Sequence, residues 1–123
     1  MATIITNNPL VLEKMSSKIK IDFRETDLKG ILIEARNRIH AGHKLLSHPL
    51  SGSVKPNETN YKSLMISDEK AKLDLDSLRI IESAIETTLK FLSMRKYKWE
   101  SKVLDDFQEI DFTLISSAVE SMI

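Results

Sequence analysis

Between Ala2 and Leu46 the spacing of apolar residues changes period four times, and this alternation limits the folds open to the chain more than any other feature. Ala2–Thr6 is a short run rich in β-branched residues, closed by Asn7-Asn8-Pro9. Pro9 suits the first turn of a helix, where its missing N–H is no loss, and Asn8 suits the cap before it. Leu10, Val11 and Met15 continue at helical spacing to about Ser17. From Lys18 to Arg24 the period is two: Ile19, Ile21 and Phe23 alternate with Lys18, Lys20, Asp22 and Arg24, the pattern of a half-buried strand. Thr26-Asp27 caps the next segment, where Leu28, Ile31, Leu32, Ala35 and Ile39 recur every three or four residues and Gly42 is a natural stop. His43–Leu46 is again extended and apolar. Helices joining successive strands in so short a span predict parallel pairing through right-handed crossovers.

His48–Asn60 breaks the rhythm with two of the three prolines and one of the three glycines, and loops of this length in small domains are commonly functional. Tyr61–Ser67 reads as a fourth strand whose direction the pattern leaves open. Beyond it the chain is helical. Leu75, Leu78, Ile81, Ile85, Leu89 and Leu92 form one stripe, and Val103, Phe107, Ile110, Leu114, Ala118 and Met122 another. With 123 residues there is room for one core, so a single α/β domain over residues 1–123 is expected. Its architecture is a small, mostly parallel four-stranded sheet with a βαβαβ start, covered by helices, and a helical C-terminal half.

Composition removes several classes of function. Eighteen basic and eighteen acidic residues cancel, which leaves no global field for phosphate contact and argues against nucleic acid as a partner. Without cysteine there is no disulfide, thiolate-held metal or thiol chemistry. No apolar run approaches the ~20 residues of a membrane helix, and the first residues lack the basic head of a secretory signal. A cytoplasmic protein without a membrane partner is the expectation.

In open parallel sheets, ligands settle beyond the carboxyl ends of the strands. With the first strand central and the second and third beside it, the Asn7-Asn8 turn and the loop from His48 face each other across such a crevice. The first turn offers Asn7, Asn8 and helix N-terminal N–H groups, although a capped turn needs no ligand. The second offers His48, Ser51, Gly52, Ser53 and Lys55, where Ser-Gly-Ser can curl into a nest of N–H donors and Lys55 adds a cation. These ingredients suit a carboxylate or a phosphate, although the loop also reads as a structural Ω-loop. A Ser-x-x-Lys nucleophile pair is absent, because Gly52 occupies the serine position, and the Gly-x-x-x-x-Gly-Lys phosphate loop is absent too.

His48, fixed beside Pro49, is the one candidate for acid–base catalysis. His40 sits near a helix end and His43 opens the next strand, where helix-terminal and cross-loop hydrogen bonding explain them better than a metal, and no metal or cofactor is expected. Lys90–Lys102 mixes five basic residues with Phe91, Tyr97 and Trp99, which reads more simply as a cationic helix end anchored by aromatics than as a strand-binding platform. Asp105, Asp106, Glu109 and Asp111 cluster near a helix start, which the helix dipole favours.

Ile4-Ile-Thr-Asn-Asn-Pro9 and His40-Ala-Gly-His-Lys-Leu-Leu-Ser-His-Pro-Leu-Ser-Gly-Ser-Val-Lys-Pro-Asn-Glu-Thr-Asn-Tyr-Lys-Ser63 resemble the GrdX family, small accessory proteins encoded beside glycine, sarcosine and betaine reductases in amino-acid-fermenting anaerobes. The family commonly has proline before the tyrosine, where this chain has Asn60. The resemblance implies a role linked to the reductase system, whose selenol and thiol chemistry a cysteine-free chain does not perform. The leading expectation is a non-catalytic accessory protein that binds a small anion between residues 6–8 and 48–55. A small hydrolase or transferase is the alternative, with His48 as base and Ser51 or Ser53 as nucleophile. A third reading is an assembly factor that contacts a reductase subunit through Tyr97, Trp99 and the last helix, a surface equally suited to a homodimer.

Overall fold

The computed structural model describes residues 2–50, 60–92 and 101–121. Among these lie three strands and four helices, in the order β1 (Ala2–Thr6), α1 (Pro9–Met15), β2 (Lys20–Phe23), α2 (Leu28–His40), β3 (Ser63–Ser67), α3 (Leu75–Leu92) and α4 (Ser101–Ser121). The sheet has the order β2-β1-β3. β1 pairs parallel with β2, Ile4 opposite Ile21, and antiparallel with β3, Ile4 opposite Met65.

Every residue of β1 is buried, because the strand is central and covered on both faces. Ile5 joins Leu64 and Ile66 under α2 and α3, with Leu28, Ile31, Leu32, Ala35, Ile39, Ile81 and Ile85. Ala2, Ile4 and Met65 face the other way and pack with Val11 and Met15 of α1 and Ile115 of α4. The local signals for the first two helices act as their chemistry dictates. Asn8 caps α1 by accepting from Leu10 N–H at 3.0 Å, with Pro9 in the first turn. Asp27 caps α2 by accepting from Gly30 N–H at 2.8 Å. Gly42 ends α2 at φ 109°, and a Cβ there would stand 2.5 Å from the Ala71 carbonyl oxygen, so glycine is required twice over.

The expected sheet of four mostly parallel strands is incorrect: the sheet has three strands and is mixed. β3 is antiparallel to β1 and takes the place expected for His43–Leu46. That stretch lies on the far side of β3 and forms one antiparallel bridge, Leu45 with Ile66. Leu46 N–H donates to Met65 C=O and Ser67 N–H to Lys44 C=O, both at 2.8 Å, and the ladder stops there. Serine hydroxyls take the groups that further rungs need: Lys44 N–H donates to Ser67 Oγ and Met65 N–H to Ser47 Oγ. The outward Leu45 N–H goes to Ser77 Oγ of α3, and among the described residues no further strand pairs at this edge.

The helical stripes are also turned from their sequence positions. On α3, Ile81, Ala84, Ile85 and Thr88 are buried, whereas Leu75 is 71% exposed and Leu89 is 46% exposed. On α4, Asp111 and Ile115 are buried and Ile110 is 40% exposed. The Lys14 ammonium lies 5.1 Å from the Phe112 ring centroid, an additional contact between α1 and α4. Among the described residues, no helix is long and apolar enough to cross a membrane.

Candidate functional site

The end of the sheet where β1 stops is closed by a buried polar cluster. Asp111 of α4, 7% exposed, reaches in above the start of β3. Ser63 donates to it twice, N–H to Oδ1 at 3.0 Å and the hydroxyl to Oδ2 at 2.7 Å, and Asn8 Nδ2 donates to Oδ2 at 3.0 Å. A serine has one hydroxyl proton, so with Ser63 donating to the carboxylate, the 2.6 Å contact between Thr6 and Ser63 has the Thr6 hydroxyl as donor. Thr6 Oγ1 in turn accepts from Asn8 N–H at 2.9 Å. Burial pushes the Asp111 carboxyl above its ordinary range, and the Ser63 and Asn8 hydrogen bonds and the Lys62 ammonium only partly oppose this. Burial likewise lowers Lys62, with the Asp111 charge pulling the other way.

This cluster occupies the place where the sequence reading put a crevice. β1 and the stretch before His48 both run antiparallel to β3, so they leave the sheet in the same direction. They are not neighbours. The start of β3 stands between them, and Ser63 and Asp111 fill the gap. Asn7 and Asn8 are held by the protein itself. Asn7 Nδ2 donates to the carbonyls of Thr26 and Asn60, both at 2.8 Å, and its Oδ1 accepts from Lys62 N–H at 2.9 Å. Asn8 Nδ2 also donates to Gln108 C=O at 2.9 Å, so its side chain ties β1 to two helices.

His48 is exposed on the other side of β3, and it separates two hollows. Inward, a cavity of about 20 Å³, with room for one water, is lined by His48, Lys62, Ser63 and Asp111. Outward, a depression of about 240 Å³ lies between His48, Leu50 and the α3 residues Arg79, Ile80, Ser83 and Ala84. His48 Nδ1 accepts from Leu50 N–H at 3.1 Å, which places the proton of the neutral ring on Nε2. A general base needs a bare nitrogen facing its substrate, and the bare nitrogen here is occupied by the backbone. Ser51, Gly52, Ser53 and Lys55 lie outside the described residues, as do Tyr97 and Trp99.

His43 Nδ1 lies 2.6 Å from the Ser67 carbonyl oxygen and donates to it. Among the described residues, no three histidine or carboxylate side chains gather as a metal site. Sequence reasoning missed Lys62, Ser63, Arg79 and the burial of Asp111. For Asp111 a signal exists: it sits four residues after Phe107 and four before Ile115, on the apolar face of α4 rather than among the solvated acids beside it.

A family model described as GrdX-like protein matches residues 3–120. Comparison with curated proteins gives no match, and neither does comparison with solved structures.

Proposed function

The chain belongs to the GrdX-like protein family, and on that premise we propose that it is a non-catalytic accessory protein of the glycine, sarcosine and betaine reductase system that binds a small carboxylate or phosphate beside His48. The observation that carries this reading is the depression of about 240 Å³ that His48, Arg79 and Ser83 line together. An anion there gains a planar cation able to grip two oxygens and a neutral imidazole whose Nε2–H donates. Arg79 is held by one exposed carboxylate, Asp76 at 3.2 Å, an arrangement a ligand can replace at little cost. In the sequence Ser51, Gly52, Ser53 and Lys55 follow within five residues of Leu50, and we count them as further donors. Asn7 and Asn8 contribute by fixing the frame: Asn7 holds the Lys62 backbone and Asn8 holds Asp111.

Calorimetric titration of the full chain with phosphate and with acetate tests the reading. Saturable binding is expected, weakened about tenfold by Arg79→Ala and again by His48→Ala, the worth of one charge-assisted hydrogen bond each. At about a hundred times Kd, bound anion adds about 2.7 kcal/mol and raises Tm by several degrees. No heat and no rise in Tm with either anion would overturn the proposal.

A further inference from the structure

The other end of the sheet, where β1 begins, carries an open cleft of about 350 Å³ that the anion-site reading does not use. Its floor is Thr3 and Ile66, both buried on adjacent strands. On one side Asp22 and Arg38 belong to a network that is already balanced. Arg38 Nη2 donates to Asp22, Arg38 Nε donates to Glu34 at 3.0 Å, and Arg24 reaches both carboxylates. Two guanidiniums and two carboxylates cancel, and although burial pushes the Asp22 carboxyl up, Arg24 and Arg38 outweigh it and hold it below its ordinary value.

What remains is one cation and one anion on opposite sides of Thr3. Lys20 starts β2 and stands in register with Thr3; Asp68 follows β3, which pairs with β1 on its other edge. Two strand spacings, roughly 10 Å, separate their backbones. Among the described residues, neither Lys20 nor Asp68 makes an ion pair. Asp68 is aimed by Thr3, whose hydroxyl donates to Oδ1 and leaves Oδ2 open. His43 also lines the cleft, and with Nδ1 donating to Ser67 its neutral ring leaves Nε2 as an acceptor.

We propose that this cleft binds a small zwitterion, its carboxylate on Lys20 and its ammonium on Asp68 and His43 Nε2. The cleft is neutral in sum but charged at each side. A lone anion meets Asp68 as well as Lys20, and a lone cation meets Lys20 as well as Asp68. A ligand carrying both charges gains at both ends and brings no net charge into the cleft. At about 350 Å³ the cleft has room for a molecule of amino-acid size.

Titration of the full chain, followed by the backbone amide signals of Thr3, His43 and Ile66, tests this. The probes are glycine, β-alanine and γ-aminobutyrate, which space the two charges progressively further apart, with acetate and methylammonium as single-charge controls. At least one zwitterion is expected to shift these signals saturably and to bind about tenfold more tightly than either control, since each control lacks one charge-assisted contact. Lys20→Ala and Asp68→Asn each lower that affinity by a similar factor, whereas His48→Ala leaves it unchanged. Acetate shifting the Thr3, His43 and Ile66 signals with the affinity of the best zwitterion overturns the proposal, as does a complete lack of shifts at these residues. Should the Asp68 variant unfold, Lys20→Ala on an exposed lysine carries the same test alone.

Discussion

The two faces of the sheet are held by different physics. Under α2 and α3 the contact is mainly apolar, from Ile5 and Leu64 to Leu32, Ile39 and Ile81. Under α1 and α4 the apolar cluster is smaller, and the helix is also bound by hydrogen bonds through Asp111, Ser63 and Asn8. Area removed from water is indifferent to direction and to pH. Hydrogen bonds to a buried carboxylate respond to both. The first face therefore supplies stability, and the second fixes where α4 sits and couples that placement to a proton.

Four substitutions break or sharpen this contrast. Leu32→Ala empties part of the α2 core and should cost about 3 kcal/mol, read from urea unfolding, with little change in its pH dependence. Asn8→Ala removes a helix cap and two donors to α4 and should cost about 2 kcal/mol. Its loss should also appear as faster amide exchange in α4 than in α2, because the damage is local to one face.

The proton coupling has a definite sign. Folding raises the Asp111 pKa above its ordinary 3.8, so the folded chain holds that proton more tightly. The stability this confers is present below 3.8 and is lost as pH rises through the folded value. Asp22 acts oppositely: held low by its arginines, it stabilises above its ordinary value and loses that contribution as pH falls through the folded one. In Asp111→Asn the decline with rising pH should disappear while the Asp22 contribution stays, a difference that melts from about pH 4 to about pH 8 resolve. Equal slopes in the two proteins would show that Asp111 is not coupled.

The smallest effect belongs to the apolar side. The Thr88 hydroxyl is fully buried on α3 and has no hydrogen-bond partner among the described residues. Thr88→Val keeps the shape and removes the unsatisfied group, so it should be neutral or stabilise by up to about 1 kcal/mol.

Much of the fold is legible in the sequence. The Asn8-Pro9 and Asp27 caps, the Gly42 stop and the strand at Ala2–Thr6 depend on residues within a few positions of one another, and local chemistry decides them. His43–Leu46 was not legible, because its fate as one bridge was decided by hydroxyls at Ser67 and Ser77, far along the chain. The candidate site divides in the same way. His48 was visible as a histidine fixed in a polar loop, whereas Arg79 and Ser83 reach it only across the packing of α3. Asp111 carried a signal in its position on an apolar face, obscured by three acidic neighbours.

The sequence by itself determined the helices, the first two strands, the absence of thiol chemistry and the family likeness, since periodicity, composition and short motifs are properties of neighbouring residues. Only the tertiary structure decided that β3 enters antiparallel between β1 and the stretch before His48. Strand order is chosen by which pairing buries both faces of β1 and satisfies its backbone groups at once, and those partners lie some sixty residues apart. That choice closed one end of the sheet around Asp111 and left Lys20 and Asp68 apart at the other.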